Sequence, residues 1–530
     1  MTRNSGWWRS AVIYQIYVRS FADANGDGVG DLAGIRARLD HLSDLGVDAL
    51  WVTPFYTSPM ADGGYDVADY RAVDPLFGDL DEAKGLVADA HARGLRVIVD
   101  VVPNHTSAQH PWFVEALAAD PGSPARARYL FRDGTGPGGA EPPNDWESVF
   151  GGPAWTRVPD GQWYLHLFDP AQPDLNWENP EVHEEFADIL RFWLDLGVDG
   201  VRIDVAHGMV KADGLPDTGR TEQIGLLGHG ELPYFDQDGV HEIYREWRKI
   251  LDSYPGERIG VAEAWAPNAE RLALYLRPDE LHQAFNFHYV KAEWSAERFR
   301  DVIDESLAAV NRVGAPSTWV LSNHDIERHV TRFGGGETGL RRARAAALLT
   351  FALPGSTYVY QGEELGLPEV TDLPEEVLTD PKWIRSGHTE RGRDGCRVPL
   401  PWSGSEPPFG FGASSWLPQP ADWAKLTVEA QRADPGSTLS LYRSAIRLRR
   451  DLPDAPLRWV DAGGDRPDVL MFRRGPGFAC TVNFGSASVT LPRPGRLLLA
   501  STPTDEIART DQTVTLPPDA AAWWTGDADD

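Results

Sequence analysis

Three carboxylates stand at the ends of β-branched runs: Asp204 closes Gly200-Val201-Arg202-Ile203-Asp204, Glu263 follows Ala262, and Asp325 follows Asn323-His324. A fourth run, Asp100-Val101-Val102-Pro103-Asn104-His105, brings His105 to the same kind of position. Two opposed carboxyl groups can cleave a glycosidic bond, one as the acid at the leaving oxygen and the other as nucleophile or base. About 5–5.5 Å between them gives retention, and a wider gap gives inversion. Arg202 lies two residues before Asp204, so both side chains emerge on one strand face, where the cation would keep Asp204 ionised. Glu263 sits among Ala262, Ala264 and Trp265, a less polar setting that raises a carboxyl toward an acid's role.

Such a group forms only if its strands run side by side. Apolar runs predict strands over 12–18, 49–54, 96–102, 200–205, 259–263, 284–287, 318–322 and 357–360, with helical spacing between them over 32–45, 80–93 and 184–196. This alternation predicts parallel strands with right-handed crossovers, and eight units favour a (β/α)8 barrel over an open doubly wound sheet, with catalytic side chains at the carboxyl ends of the strands. Carboxylates on neighbouring barrel strands can meet the shorter spacing. The rhythm breaks over 105–176, a Pro-, Gly- and Trp-rich stretch too long for a loop and read as a small inserted domain. Further excursions occupy 211–244 and 366–422. A helix over 440–450 leads into short strand-like runs between Gly/Pro turns, a small antiparallel β domain. The expected division is a barrel over 1–104 and 177–455, the inserted domain over 105–176 and the β domain over 456–530.

Hydrophobic content of 42% indicates a globular chain, and a net charge of −29 disfavours nucleic acid and anionic membranes in favour of a neutral substrate. No run is long enough to span a bilayer, and the amino-terminal residues carry no apolar signal segment. The two cysteines, Cys396 and Cys480, exclude a disulfide framework or a cysteine-based zinc site, and fit a reducing cytoplasm. Just after the first strand, Asp23, Asn25, Asp27, Val29 and Asp31 place oxygen donors at alternating positions, as hard cations such as Ca2+ require. Gly34 at the twelfth position removes the bidentate glutamate of an EF-hand.

The segments around Asp100–His105, Gly200–Asp204, Ala262-Glu263 and Asn323–Asp325 resemble, in order and spacing, the four signature regions of the α-amylase superfamily, glycoside hydrolase family 13. Gln172-Pro-Asp-Leu-Asn-Trp177 resembles a further motif of its oligo-1,6-glucosidase and α-glucosidase branch. The likeness implies that Asp204 is the nucleophile, Glu263 the acid and then base, and Asp325 a carboxylate that binds and distorts the sugar. It implies that His105 and His324 hold hydroxyls, that Arg202 orients Asp204, and that Tyr65 stacks under the terminal sugar. Asp62 and Arg397 resemble a pair that closes the pocket around a non-reducing end, and the Asp23–Asp31 loop resembles one that binds structural calcium. The expected activity is exo-acting cleavage of short α-glucosides by a retaining mechanism. The same intermediate would serve a glucosyl-transferring or isomerising relative such as a trehalose synthase, or a phosphorolytic one. A non-catalytic, transporter-associated member would carry a transmembrane segment and lose catalytic residues. Val205 accompanies α-1,6 cleavage in that branch, yet Ala206-His207-Gly208 departs from its usual continuation and leans toward maltose-type substrates. The sequence leaves the oligomeric state open.

Overall fold

In a computed structural model of the chain, residues 6–462 and 466–525 are described. Residues 1–5, part of the amino-terminal stretch read above, and 463–465 and 526–530, parts of the expected β domain, lie outside the described residues. Eight strands form one parallel sheet: β1 (Val12–Ile16), β2 (Ala49–Val52), β3 (Arg96–Val101), β4 (Gly200–Ile203), β5 (Ile259–Ala262), β6 (Gln283–Ala284), β7 (Thr318–Val320) and β8 (Ser356–Tyr360). Their order is β6-β5-β4-β3-β2-β1-β8-β7. The sheet curls until the Asn286 N–H donates to the Thr318 carbonyl at 3.3 Å, bridging the β6–β7 gap in a nearly closed barrel. Most strands stop short of their apolar runs because the last residues, Asp204 and Glu263 among them, turn out of the ladder into the barrel mouth.

Strand alternation sorts the side chains into two layers. Ile13, Trp51, Ile98, Val261 and Tyr358 fill the barrel interior, while Val12, Tyr14, Leu50, Val97, Val99 and Val201 pack outward against the helices. Continuing the inward rows toward the carboxyl ends are Gln15, Asp100 and Arg202, all buried. The register sets Asp100 opposite Arg202. The barrel is therefore apolar in its body and ionised at its mouth.

The helix expected over 32–45 is two, Leu32–Ala37 and Leu39–Leu45, separated by Arg38 at φ −110°, ψ 4°. The helix expected from 184 begins earlier, at Pro180, because Asn179 caps it through the Glu181 N–H and proline fits the first helical position. Between β3 and this helix lie helix Pro111–Ala118 and an antiparallel sheet of Phe131–Asp133, Gln162–Leu165 and Trp155–Arg157. The excursion after β4 ends earlier than expected, since helix Val240–Asp252 begins at 240. It is fastened to the first insertion, with Trp146 Nε1 donating to the Pro216 carbonyl at 2.8 Å and Asp145 accepting from the Thr218 and Gly219 N–H groups.

Beyond the barrel, β9 (Leu457–Trp459), β10 (Val469–Arg474), β11 (Phe478–Asn483), β12 (Arg496–Ala500) and β13 (Ala520–Thr525) form an antiparallel sheet in the order β9-β10-β11-β13-β12. It leans on helix Gly336–Ala352, where Trp523 Nε1 donates to the Leu348 carbonyl at 3.0 Å. Among the described residues both cysteines are free and buried, and no helix is long and apolar enough to cross a membrane.

Candidate active site

One guanidinium organises the mouth. Arg202, fully buried on β4, places Nη1 2.8 Å from Asp100 Oδ1 and 2.5 Å from Asp204 Oδ1, and Nη2 3.2 Å from Glu263 Oε2. The backbone fixes the partners. Asp204 N–H donates to the Val101 carbonyl and Glu263 N–H to the Ile203 carbonyl, so each carboxylate leaves the barrel beside its neighbouring strand. Val205 then adopts φ +45°, a left-handed conformation that costs a β-branched residue of the order of 1–3 kcal/mol. That turn aims the Val205 N–H at Glu263 Oε2, 2.8 Å away, while Trp265 Nε1 donates to Oε1 at 3.0 Å.

Three buried carboxylates share that single cation, and the electrostatics follow. Burial pushes Asp100 up to about 6 against the pull of Arg202. Asp204 is raised well above the carboxylate range by burial, with Arg202 opposing and the Glu263 charge adding. Glu263 is raised by burial, again against Arg202. The raised Glu263 agrees with its expected setting. The expected effect of Arg202 on Asp204 is outweighed, because one guanidinium divided among three acids cannot offset the loss of water around each.

Asp325 behaves in the opposite way. Its Oδ1 accepts from Arg393 Nη1 at 2.9 Å and Arg397 Nη2 at 3.0 Å, and His324 Nε2 lies 3.2 Å from Oδ2. Burial would raise it, yet His324 and the two arginines hold it well below the usual range. Because burial keeps His324 itself neutral, the permanently charged guanidiniums carry that effect. Asp62 and Arg397, the two residues expected to close the pocket, make no ion pair with each other among the described residues. Asp62 Oδ1 bonds to Arg393 Nη2 at 2.7 Å, while Arg397 is turned onto Asp325, Asp380 and the His324 carbonyl. Arg393 bridges Asp62, Asp325 and Asp380 at once.

Asp62, Tyr65, His105, Asp204, Glu263, His324, Asp325 and Arg393 line one cavity of about 240 Å³, small beside the roughly 300–1,000 Å³ of pockets for drug-sized ligands. Tyr65 lies parallel to the His324 ring at 5.2 Å and donates to Asp100 Oδ2 at 3.1 Å. His105 faces the Tyr65 carbonyl at 3.2 Å and Gln172 Nε2 at 3.1 Å, and burial holds it neutral by lowering it to about 4. Gln172 also donates to Asp62 Oδ2 at 3.1 Å. Arg202 and Arg397 stand behind this lining. Apart from His207 and Lys382 the rest is apolar: Val149, Phe150 and Phe168 from the first insertion, Ile224, Leu227 and Phe235 from the second, with Val205 and Trp265.

Arg393, Asp100 and Asp380 escaped the sequence reading as site residues. Two were visible in part, since Asp100 sits in the quoted β3 motif and Arg393 opens the segment that yielded Arg397. Nothing local marks Asp380, which becomes a partner only because 366–422 folds over the mouth.

The Asp23–Asp31 loop lies apart from the cavity. Asp23 accepts from the Gly26 and Gly28 N–H groups, Asp27 from Val29, and Asp31 from Ala24, Asn25 and Gly34. Its donor set of carboxylates, the Asn25 amide and the Val29 carbonyl has the all-oxygen chemistry of a hard-cation site. Among the described residues, no group of three or more His, Cys, Asp or Glu side chains is arranged to hold a metal.

The family model for the α-amylase catalytic domain matches residues 15–455, and one described as a domain of unknown function matches 460–523. The chain is 38% identical to a "probable α-glucosidase" of Rhizobium meliloti (strain 1021), covering 93% of this chain and 92% of the relative. It is 36% identical to an oligo-1,6-glucosidase of Parageobacillus thermoglucosidasius, over 84% of each. Among solved structures, an α-glucosyl transfer enzyme, XgtA, superposes with a TM-score of 0.88 at 37% identity, over 98% of this chain and 99% of that one. The trehalulose synthase of Pseudomonas mesoacidophila MX-45 does so with a TM-score of 0.89 at 31% identity, over 98% and 99%. With the barrel, its carboxylate mouth and a catalytic-domain match over most of its length, the chain belongs to the α-amylase family of glycoside hydrolases, family 13.

Proposed function

We propose that this enzyme is a retaining, exo-acting α-glucosidase that hydrolyses short α-glucosides from their non-reducing ends. The observation that carries the reading is the bonding of one guanidinium, Arg202, to both Asp204 and Glu263. It keeps the two carboxyl groups close enough for the about 5–5.5 Å spacing of a retaining pair. Burial raises all three carboxyl groups around the one cation and so favours a proton held among them. With that proton on Glu263, Asp204 stays ionised at 2.5 Å from Arg202. Asp204 attacks the anomeric carbon as Glu263 protonates the departing oxygen, giving a β-glucosyl-enzyme. Glu263, now a carboxylate, takes a proton from water, which attacks the same carbon and releases α-glucose with Asp204 as leaving group.

Asp325 would hold sugar hydroxyls most tightly in the oxocarbenium-like transition state, with His105, His324 and Tyr65 around the same ring. The Asp62–Arg393–Asp325 bridge would close the pocket beyond a single terminal glucose and so favour exo-action. Asp204→Asn should lower glucose release from nitrophenyl α-glucoside by about 10⁴-fold or more, and release at the wild-type rate would overturn the assignment. Proton NMR of the first product should show the α-anomer.

A transferring or isomerising activity is the second reading. It is supported by the structural neighbours named for glucosyl transfer and trehalulose synthesis, and by apolar walls that disfavour water at the acceptor side. Product analysis with and without an added sugar acceptor separates the two. Rates on maltose, isomaltose, trehalose and sucrose rank the linkages, with maltose expected first. The buried free thiols suit action in a reducing cytoplasm. We also propose calcium for the Asp23–Asp31 loop, as a structural ion outside the chemistry. Chelation should then lower the Tm with kcat/KM nearly unchanged, and an unmoved Tm on both chelation and calcium addition would remove the ion.

A further inference from the structure

Asp100 and Arg202 on the inward rows of the barrel belong to its charged mouth, whereas the mechanism above leaves Gln15 unused. This residue of β1 is 1% exposed and lies beside Trp51 of β2 and Tyr360 of β8 in the register. Its Nε2 stands 2.6 Å from His324 Nδ1, and its Oε1 has no partner among the described residues. The contact with His324 is the side chain's only hydrogen bond among the described residues. A buried polar atom left unpaired costs about 1–3 kcal/mol, so an amide kept here must do something an apolar side chain could not.

The imidazole it meets is held by other contacts as well. Tyr65 and Tyr17 lie nearly parallel to the His324 ring, with centroids 5.2 and 5.6 Å away, and Trp51 meets it edge-on at 6.0 Å. The His324 carbonyl accepts from Arg397 Nε at 2.8 Å. These contacts fix the ring plane but not which nitrogen carries the proton. Burial keeps the ring neutral, so it carries one. Its Nε2 lies 3.2 Å from Asp325 Oδ2, and Asp325 stays ionised and can only accept. The proton therefore belongs on Nε2, and Nδ1 presents a bare lone pair to the amide. A lone pair takes an N–H, which is the end that Gln15 presents. The two edges of the ring agree.

Substrate treats these two partners differently. Asp325 lines the cavity, and in the proposed reaction the sugar hydroxyls it binds take up its oxygens. Gln15 does not line the cavity, and its amide meets the opposite edge of the ring. When Asp325 turns to substrate, the amide still denies Nδ1 a proton, and Nε2 remains a donor. A free neutral imidazole takes either tautomer. Without the amide the proton would be free to move to Nδ1, and Nε2 would then face the sugar and Asp325 with a lone pair.

We propose that Gln15 is a positioning residue that holds His324 as the Nε2–H tautomer, so that the imidazole donates to a hydroxyl of the glucose being cleaved. The inference rests on the α-glucosidase reading for that hydroxyl, but the tautomer is readable without substrate. In enzyme labelled with 15N-histidine, two-bond 1H–15N correlations, assigned by their loss in His324→Asn, should show Nε2 protonated and Nδ1 bare. A protonated Nδ1 overturns the inference. Gln15→Glu keeps the shape of the side chain but accepts instead of donating, and it should put a proton on Nδ1. A bare Nδ1 in that variant overturns the inference as well. Gln15→Met removes the donor and should lower kcat/KM for nitrophenyl α-glucoside about tenfold, mostly through kcat, since contacts of Asp325 and His324 to the sugar tighten in the transition state. On a substrate lacking the hydroxyl that His324 serves, the same substitution should cost less than about twofold. A monodeoxy series of nitrophenyl α-glucosides finds that hydroxyl. Equal loss across the whole series would make Gln15 a packing residue and overturn the inference. An Nε2–H tautomer in an enzyme that cleaves neither nitrophenyl α-glucoside nor maltose would sink the glucosidase reading and keep the assignment of Gln15 to the tautomer.

Discussion

Where the cavity is charged, its groups bond to one another: Asp62 and Asp325 share Arg393, Asp325 and Asp380 share Arg397, and Asp204 and Glu263 share Arg202. Where it is apolar, Phe150, Phe168, Leu227, Phe235 and Trp265 form a wall. The charged lining rises mainly from strand ends of a rigid barrel, the apolar one mainly from two insertions fastened to each other. A preorganised charged lining suits chemistry that must happen one way, because fixed dipoles need no reorganisation at the reacting centre. An apolar wall on insertions can change without disturbing that chemistry, since function lies in sites carried on a fold and not in the fold itself.

If the charged lining is a single unit, its common cation should be its weakest point. Arg202→Met leaves Asp100, Asp204 and Glu263 buried together with no counter-charge. Breaking a buried ion pair on one side costs about 3–5 kcal/mol, and denaturant unfolding should show a loss of that size, with activity abolished. A loss under about 1 kcal/mol would mean the carboxylates hold protons instead and need no cation, and the contrast between the two linings would weaken.

The next test separates two arginines that the sequence could not rank. A double-mutant cycle of Asp62→Ala with Arg393→Gln should give a coupling of about 1–3 kcal/mol in kcat/KM for a disaccharide, and the cycle with Arg397→Gln a smaller one. Arg393→Gln alone should cost about 10²-fold, since it strips Asp62, Asp325 and Asp380 of a shared cation at once. Stronger coupling to Arg397 would contradict the observed bridge.

The contacts of Asp62 and Arg397 show where sequence reading reaches its limit. Asp204, Glu263, Asp325, His105 and His324 were legible because each ends a periodic apolar run, and periodicity fixes where a strand delivers its last side chain. Asp62 and Arg397 come from irregular segments more than three hundred residues apart. Their neighbourhood was legible, but which arginine reaches which oxygen depends on the path of 366–422 over the mouth. The left-handed Val205 was hidden for a related reason. Valine's preferences argue against φ +45°, and only the hydrogen bond from its N–H to Glu263 makes that conformation worthwhile.

Trp265 touches both linings and offers the subtlest separation of them. Its ring lies parallel to Phe287 at 3.8 Å, a packing role, while Nε1 donates to Glu263 Oε1 at 3.0 Å, an electrostatic one. Trp265→Phe keeps most of the stack and removes the donor. The hydrogen bond favours the carboxylate form of Glu263, so its loss should raise that carboxyl further above the range to which burial already lifts it. In the proposed first step Glu263 must hold its proton, and activity is lost on the alkaline side as the proton leaves. A raised acid therefore moves that limb of the kcat/KM profile to higher pH. A hydrogen bond to a charged group is worth about 1.5–3 kcal/mol and one pH unit corresponds to about 1.4, so partial compensation by water leaves a shift of roughly one unit. The rate at the optimum should fall only a few-fold, because the apolar contacts remain. A limb that stays fixed while the rate falls would assign Trp265 wholly to the apolar wall, and a limb that moves to lower pH would contradict Glu263 as the proton donor.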